Sequence, residues 1–209
     1  MNKLLNIIFT DCKKNKNIYF SLIIVVIISL IFGTLFITIL EESDKTLVSN
    51  QITNFFDTIK NGNYVGKNNI LPNFLNSSVF IVLIWILGLS IIGIPVIICL
   101  LFYKGFTLAF TISSLIYSLK IKGIFISFIY IFPHLILNLI MYFIITYYSF
   151  NFSIKIFNSI FYKKEFNYKK YVKKYLFIIL ISIIILILTA LYETYIMPYI
   201  MPYIIKLIY

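Results

Sequence analysis

Arginine is absent from the 209 residues, and all 18 basic side chains are lysine. The guanidinium fork that grips phosphates and carboxylates at two points is therefore missing. Specific oxyanion recognition of the usual kind is disfavoured. Acids are scarce as well: Asp11, Glu41, Glu42, Asp44, Asp57, Glu165 and Glu193 are all near run ends or in polar stretches. No carboxylate pair falls inside an apolar run. The acid that ion-coupled transporters place near mid-membrane has no counterpart. The two cysteines, Cys12 and Cys99, sit in a basic lead and an apolar run, with no CxxC spacing. A lone histidine, His134, makes a poor metal site or proton relay. P-loop, HExxH and GxSxG signatures are missing. Neither an enzyme nor a cofactor is expected.

Charge of either sign is thin, at 12% of residues. Soluble domains carry about 25%. Hydrophobic residues make up 61%, and mean hydropathy is +1.00. The chain reads as an all-α, polytopic membrane bundle of about five transmembrane helices. The net charge of +11 then means lysine-rich cytoplasmic loops, not nucleic-acid binding.

The longest uncharged runs set the expected map. Residues 1–17 are a cytoplasmic basic lead with Lys3, Lys13, Lys14 and Lys16. Residues 18–40 form the first span, with Gly33 and Thr34 as a small face for a neighbour or a second copy. Residues 41–78 form an extracytoplasmic loop. Within it, Val48, Ile52, Phe55, Phe56 and Ile59 make one apolar stripe of an amphipathic helix that Gly62-Asn63 ends. That stripe suits its own bundle, the outer membrane interface or a partner, and it is the partner-binding candidate. Asn61–Asn76 reads as loop.

Residues 79–103 form the second span. Gly88, Gly93 and Pro95 lie inside it, and Pro95 lacks a donor N–H, so a kink is expected. Tyr103-Lys104-Gly105 reads as an aromatic anchor, a charge and a turn at the cytoplasmic face. Residues 106–121 are short for a span and rich in hydroxyls; with the second span they look like a hairpin about Lys104-Gly105. Residues 124–150 form the fourth span, interrupted at Phe132-Pro133-His134, with Asn138 one turn beyond His134. A neutral His134 bonded to Asn138, a hydroxyl or a freed carbonyl is one reading; a ligand or proton role is the other.

Residues 151–174 form a basic cytoplasmic loop. Lys163, Lys164, Lys169, Lys170, Lys173 and Lys174 interleave there with aromatics, as a topology signal or an anionic-lipid site. Residues 175–196 form the fifth span. Residues 197–209 form an outer tail, where Pro198 and Pro202 should stop or kink the helix. With the N-terminus inside, twelve lysines fall on the cytoplasmic side and six outside. The sign obeys the positive-inside rule.

Trp85, Leu87-Gly88, Gly93, Pro95 and Lys104-Gly105-Phe106 together resemble the stage II sporulation protein M family of bacterial membrane proteins. The resemblance runs from the first span through Asn138. Wider relatives carry P-H-G-I-x-E where this chain has P-H-L-I-L-N, so Pro133 and His134 match while Leu135 and Asn138 depart. The resemblance implies a multi-pass anchor or scaffold in the cytoplasmic membrane, at the sporulation septum. It implies a role in engulfment, holding the peptidoglycan-degrading stage II sporulation proteins D and P. A permease-like subunit working with a separate ATPase is the alternative; Thr111, Pro95, His134 and Asn138 would then line a path.

Overall fold

An apolar run in lipid must pair its own backbone groups, so it becomes a helix. The computed structural model describes residues 15–60, 70–162 and 168–208, and every regular element there is helical. In order these are α1 (Lys16–Ile39), α2 (Glu42–Lys60), α3 (Ile70–Leu87), α4 (Gly93–Leu119), a short α5 (Ile121–Ile126), α6 (Phe132–Tyr162), α7 (Tyr168–Leu191) and α8 (Met197–Ile208). Single π turns, Ser127–Ile131 and Tyr192–Ile196, lead into α6 and α8. Four stretches are long and apolar enough to cross a membrane: Lys16–Ile39, Gly93–Leu119, Pro133–Tyr162 and Tyr171–Tyr203. Ser77–Leu87 is a shorter apolar helix. The five expected spans are thus four full ones and a short one.

The second and third spans need correcting. No hairpin forms at Lys104-Gly105, because α4 runs unbroken from Gly93 to Leu119. The break falls sixteen residues before Lys104, at Gly88, and α3 has ended at Leu87. Pro95 makes no mid-helix kink. It sits in the first turn of α4, where its missing N–H has no intrahelical acceptor to serve. The expected loop before the second span is also shorter, since α3 already starts at Ile70. Gly62-Asn63 lies outside the described residues.

Gly105 has a different task from turning the chain. α1 and α4 run parallel, with Ser29 beside Gly105 and Gly33 beside Phe106 and Ala109. A Cβ on Gly105 would overlap the Ser29 hydroxyl, and one on Gly33 would overlap the Phe106 carbonyl. Small residues let the two backbones meet. Phe36 then packs edge-on to Phe106 and Phe110, at 5.3 and 5.7 Å. The small face offered to a second copy is therefore covered within the chain at Gly33.

Two cores result. Ile81 and Ile84 of α3, Ile97 and Leu101 of α4, Ile145 of α6 and Leu186 of α7 are buried in the larger one, at the middle and lysine-rich end. At the far end, α2 lies on α4 and α8. Its Phe56 and Ile59 are 3% and 2% exposed, among Leu115, Leu119, Met197 and Met201. The apolar stripe thus faces its own bundle, which corrects its reading as a partner surface at Phe56 and Ile59.

Pro198 and Pro202 do not end the last helix, since α8 runs on to Ile208 with Pro202 inside it. Pro133 and Pro198 each follow a π turn within two residues. The wider turn gives room for a ring and a missing donor, so the helix carries on.

Candidate functional site

The break between α3 and α4 is held from three sides. Backbone bonds tighten it: Leu89 N–H to Ile86 O at 3.0 Å, Ser90 N–H to Leu87 O at 3.0 Å, and Gly93 N–H to Ser90 O at 3.3 Å. The Gly88 carbonyl accepts from Ser153 Oγ at 2.7 Å, and that hydroxyl lies 3.1 Å from the Ser90 carbonyl. Tyr175 Oη of α7 donates to the Trp85 carbonyl at 2.7 Å. Its one proton is committed there, so Ser149 Oγ is the donor in the 2.7 Å contact with Tyr175 Oη. Ser149 and Ser153 are one turn apart on one face of α6. Tyr175 is stacked between Trp85 at 5.8 Å and Phe152 at 4.8 Å. A Cβ on Gly88 would strike the Tyr175 hydroxyl and Ser149. Trp85, Gly88, Gly93 and Pro95 are thus brought together as one joint.

Lys104 is elsewhere, corrected from membrane face to helix interior. It lies eleven residues into α4, roughly 16 Å from the start at 1.5 Å per residue. Its ammonium sits 3.5 Å from the Phe80 ring centroid and 5.2 Å from that of Tyr142. Two aromatic faces can hold a desolvated cation by about 2 kcal/mol. No ion pair to Lys104 occurs among the described residues; the one between described carboxylate and lysine side chains joins Lys45 to Glu42 at 2.9 Å. Lys104 opens on a cavity of about 240 Å³ that Asn138, Ser77 and Tyr142 also line. A second cavity, of about 280 Å³, lies under α2 between Val48, Ile52, Phe55, Phe56 and Thr111. Thr111 lines both.

His134 is 5% exposed and Asn138 6%. A bond between them is one of the readings open for His134; the Asn138 side-chain amide meets Thr189 Oγ1 of α7 at 2.9 Å, a hydroxyl that also lies 3.0 Å from the Leu186 carbonyl. Pro133 lies in the first turn of α6. Among the described residues, no group of three or more His, Cys, Asp or Glu is placed to hold a metal ion.

The basic stretch is more helical than the expected loop, since α6 continues to Tyr162 and α7 starts at Tyr168. Lys163 and Lys164 lie outside the described residues. Lys169, Lys173 and Lys174 rim a groove of about 1000 Å³ between α6 and α7, walled by Leu176, Leu180 and Ile185. Lys170 is on the same turn of α7. Lys155 covers the Tyr171 ring at 3.6 Å.

Ser149, Ser153, Phe80 and Tyr142 escaped the sequence reading, and Tyr175 figures in it only as one of the aromatics among the lysines. A cluster of small hydroxyls near the end of an apolar run was the available signal for the first two. The ring partners of Lys104 come from other helices and have no local signal.

Apolar spans, one of them divided at a joint that two others clamp, define a multi-helix integral membrane protein. The chain matches the family described as Stage II sporulation protein M over residues 22–198 and belongs to it. It is a sporulation-related membrane protein. No curated protein and no solved structure matches it.

Proposed function

We propose that this protein is a non-enzymatic anchor and scaffold in the bacterial cytoplasmic membrane. It would hold peptidoglycan-degrading machinery at the sporulation septum during engulfment. The family match over residues 22–198 carries this reading. The buried polar side chains support it. Ser149, Ser153, Tyr175 and Thr189 bond one helix to another. That is how a bundle keeps a shape on which others can assemble. By the resemblance, the machinery is stage II sporulation proteins D and P. With Phe56 and Ile59 of α2 turned inward, an outer surface open to them among the described residues is the exposed side of that helix, with Leu47 and Asp57.

The test is a pull-down of the tagged full-length protein from sporulating cells in mild detergent, beside a deletion strain scored for engulfment. Wall hydrolases should be recovered and engulfment should stall. Normal engulfment in the deletion strain overturns the proposal. The second reading, a permease-like subunit, is favoured by the cavity at Lys104. It requires an ATP-binding chain in the pull-down instead, and loss of function on substituting Thr111 or His134.

A further inference from the structure

The described charges are sorted by end. The acids Glu41, Glu42, Asp44 and Asp57 lie at or in α2, and Glu193 lies in the π turn beyond α7, all at the far end. Lys155, Lys169, Lys173 and Lys174 stand at the other end. Two of these are laid on rings: Lys155 over Tyr171 at 3.6 Å, and Lys174 by Tyr148 at 5.3 Å. Lys169 and Lys173 are exposed. They are one turn apart on one face of α7, and both rim the groove between α6 and α7. The groove below them is apolar. Leu176, Leu180 and Ile185 of α7 and Met141 and Ile144 of α6 line it, and Leu180 is 59% exposed. From Lys173 to Ile185 the wall covers twelve residues, by subtraction of the numbers, or roughly 18 Å at about 1.5 Å per residue. One leaflet of a hydrocarbon core is about 15 Å deep, half of about 30 Å. The groove thus spans a single leaflet, with positive charge at its water end.

We propose that this groove seats one anionic phospholipid of the lysine-rich leaflet. Its acyl chains lie on Leu176, Leu180 and Ile185, and its headgroup phosphate takes the Lys169 and Lys173 ammoniums. Two ammoniums at one point favour a net-negative headgroup over a zwitterionic one, whose own cation they repel. A second copy fits less well. Two-fold pairing about an axis along the membrane normal lays the lysine rim against itself. The inference does not depend on the scaffold reading.

The probe is dioleoyl phosphatidylglycerol, against dioleoyl phosphatidylcholine, on the purified full-length protein in mild detergent. The protein is loaded with a phosphatidylglycerol that carries a mid-chain diazirine and irradiated, and the labelled peptides are mapped by mass spectrometry. Label should fall between Leu176 and Ile185. Unlabelled phosphatidylglycerol should displace it about 25-fold more effectively than phosphatidylcholine, since each lysine near an anionic headgroup is worth about fivefold. Lys173→Gln should cut that preference about fivefold. Lys16→Gln, at an exposed position of the same end, should leave it unchanged. Label outside α6 and α7, or equal displacement by the two lipids, overturns the proposal on the native protein without recourse to a variant. An equal loss in Lys16→Gln and Lys173→Gln also overturns it, reducing the seat to a diffuse field. So does displacement by glycerol phosphate as effective as by the whole lipid, which makes the rim a site for free phosphate. With Cys12 and Cys99 replaced by serine, a disulfide-linked dimer of Leu180→Cys in native membranes overturns it as well, giving the groove to a second copy.

Discussion

Tyr175 ties three helices with one hydroxyl. It serves the Trp85 carbonyl of α3 and takes the Ser149 proton of α6. The contact with Ser149 is buried and that with the Trp85 carbonyl partly so. Tyr175→Phe should therefore lower stability by about 1–2 kcal/mol, since a part-buried carbonyl and a buried hydroxyl lose their partner together. Ser153→Ala removes the donor to Gly88 and should lower it by about 1 kcal/mol. The two substitutions act on one joint, so their combined effect should differ from the sum. Unfolding in mixed micelles of the single and double variants measures all three. Lys104 shows how a residue can mislead. A lysine beside a glycine, after a tyrosine, looks like an interface turn. Phe80 and Tyr142 supply the rings that let it stay inside, and Ser29 supplies the reason for the glycine. Those neighbours are 24, 38 and 76 positions away, by subtraction of the residue numbers. No local pattern encodes them.

At the scale of elements, periodicity was informative and breakers were ambiguous. The stripe from Val48 to Ile59 falls within α2; the run of the first span falls on α1, that of the fourth is divided among α5, a π turn and α6, and that of the fifth covers α7 and the π turn after it. Which surface the stripe meets was not legible, because a partner and the chain's own bundle offer the same apolar chemistry. Phe56 is 3% exposed and Phe55 40%. Phe56→Ala should therefore reduce stability by about 3–5 kcal/mol. Phe55→Ala should cost under about 1 kcal/mol. Equal effects would mean that α2 is not seated as described. Proline was the harder sign to read. Its position within a helix decides its cost, and position depends on where the helix begins. Pro95→Ala, in a first turn, should change Tm little, whereas Leu101→Pro in the same helix should prevent folding. Thermal denaturation of the detergent-solubilised variants separates the two.

The molecule as a whole runs its chain up α1, down α3, up α4, down α6 and up α7, as the parallel α1–α4 pair and the clamp at Gly88 require. Taking Lys104 off the cytoplasmic tally leaves eleven lysines against six, so the sign expected from the positive-inside rule is unchanged. With Cys12 and Cys99 replaced by serine, a cysteine at Ser90 should react with a membrane-impermeant maleimide from the lysine-rich side only. One at Lys120 should react from the opposite side, and one at Phe106 from neither. Labelling at Phe106 would restore the hairpin that the continuous α4 removes.

The pairing of α1 with α4 also bears on how the protein is made. Ser29 leaves the ribosome 76 residues ahead of Gly105, by the difference of their numbers, which at about 5–20 residues per second is an interval of about 4–15 s. Through that interval the first helix is already in the bilayer while its main neighbour is unsynthesised. It must be apolar enough to wait alone, and its uncharged run from Ile18 to Leu40 meets that demand. Any truncation before Gly105 would strand it, leaving a nascent fragment open to quality-control proteases.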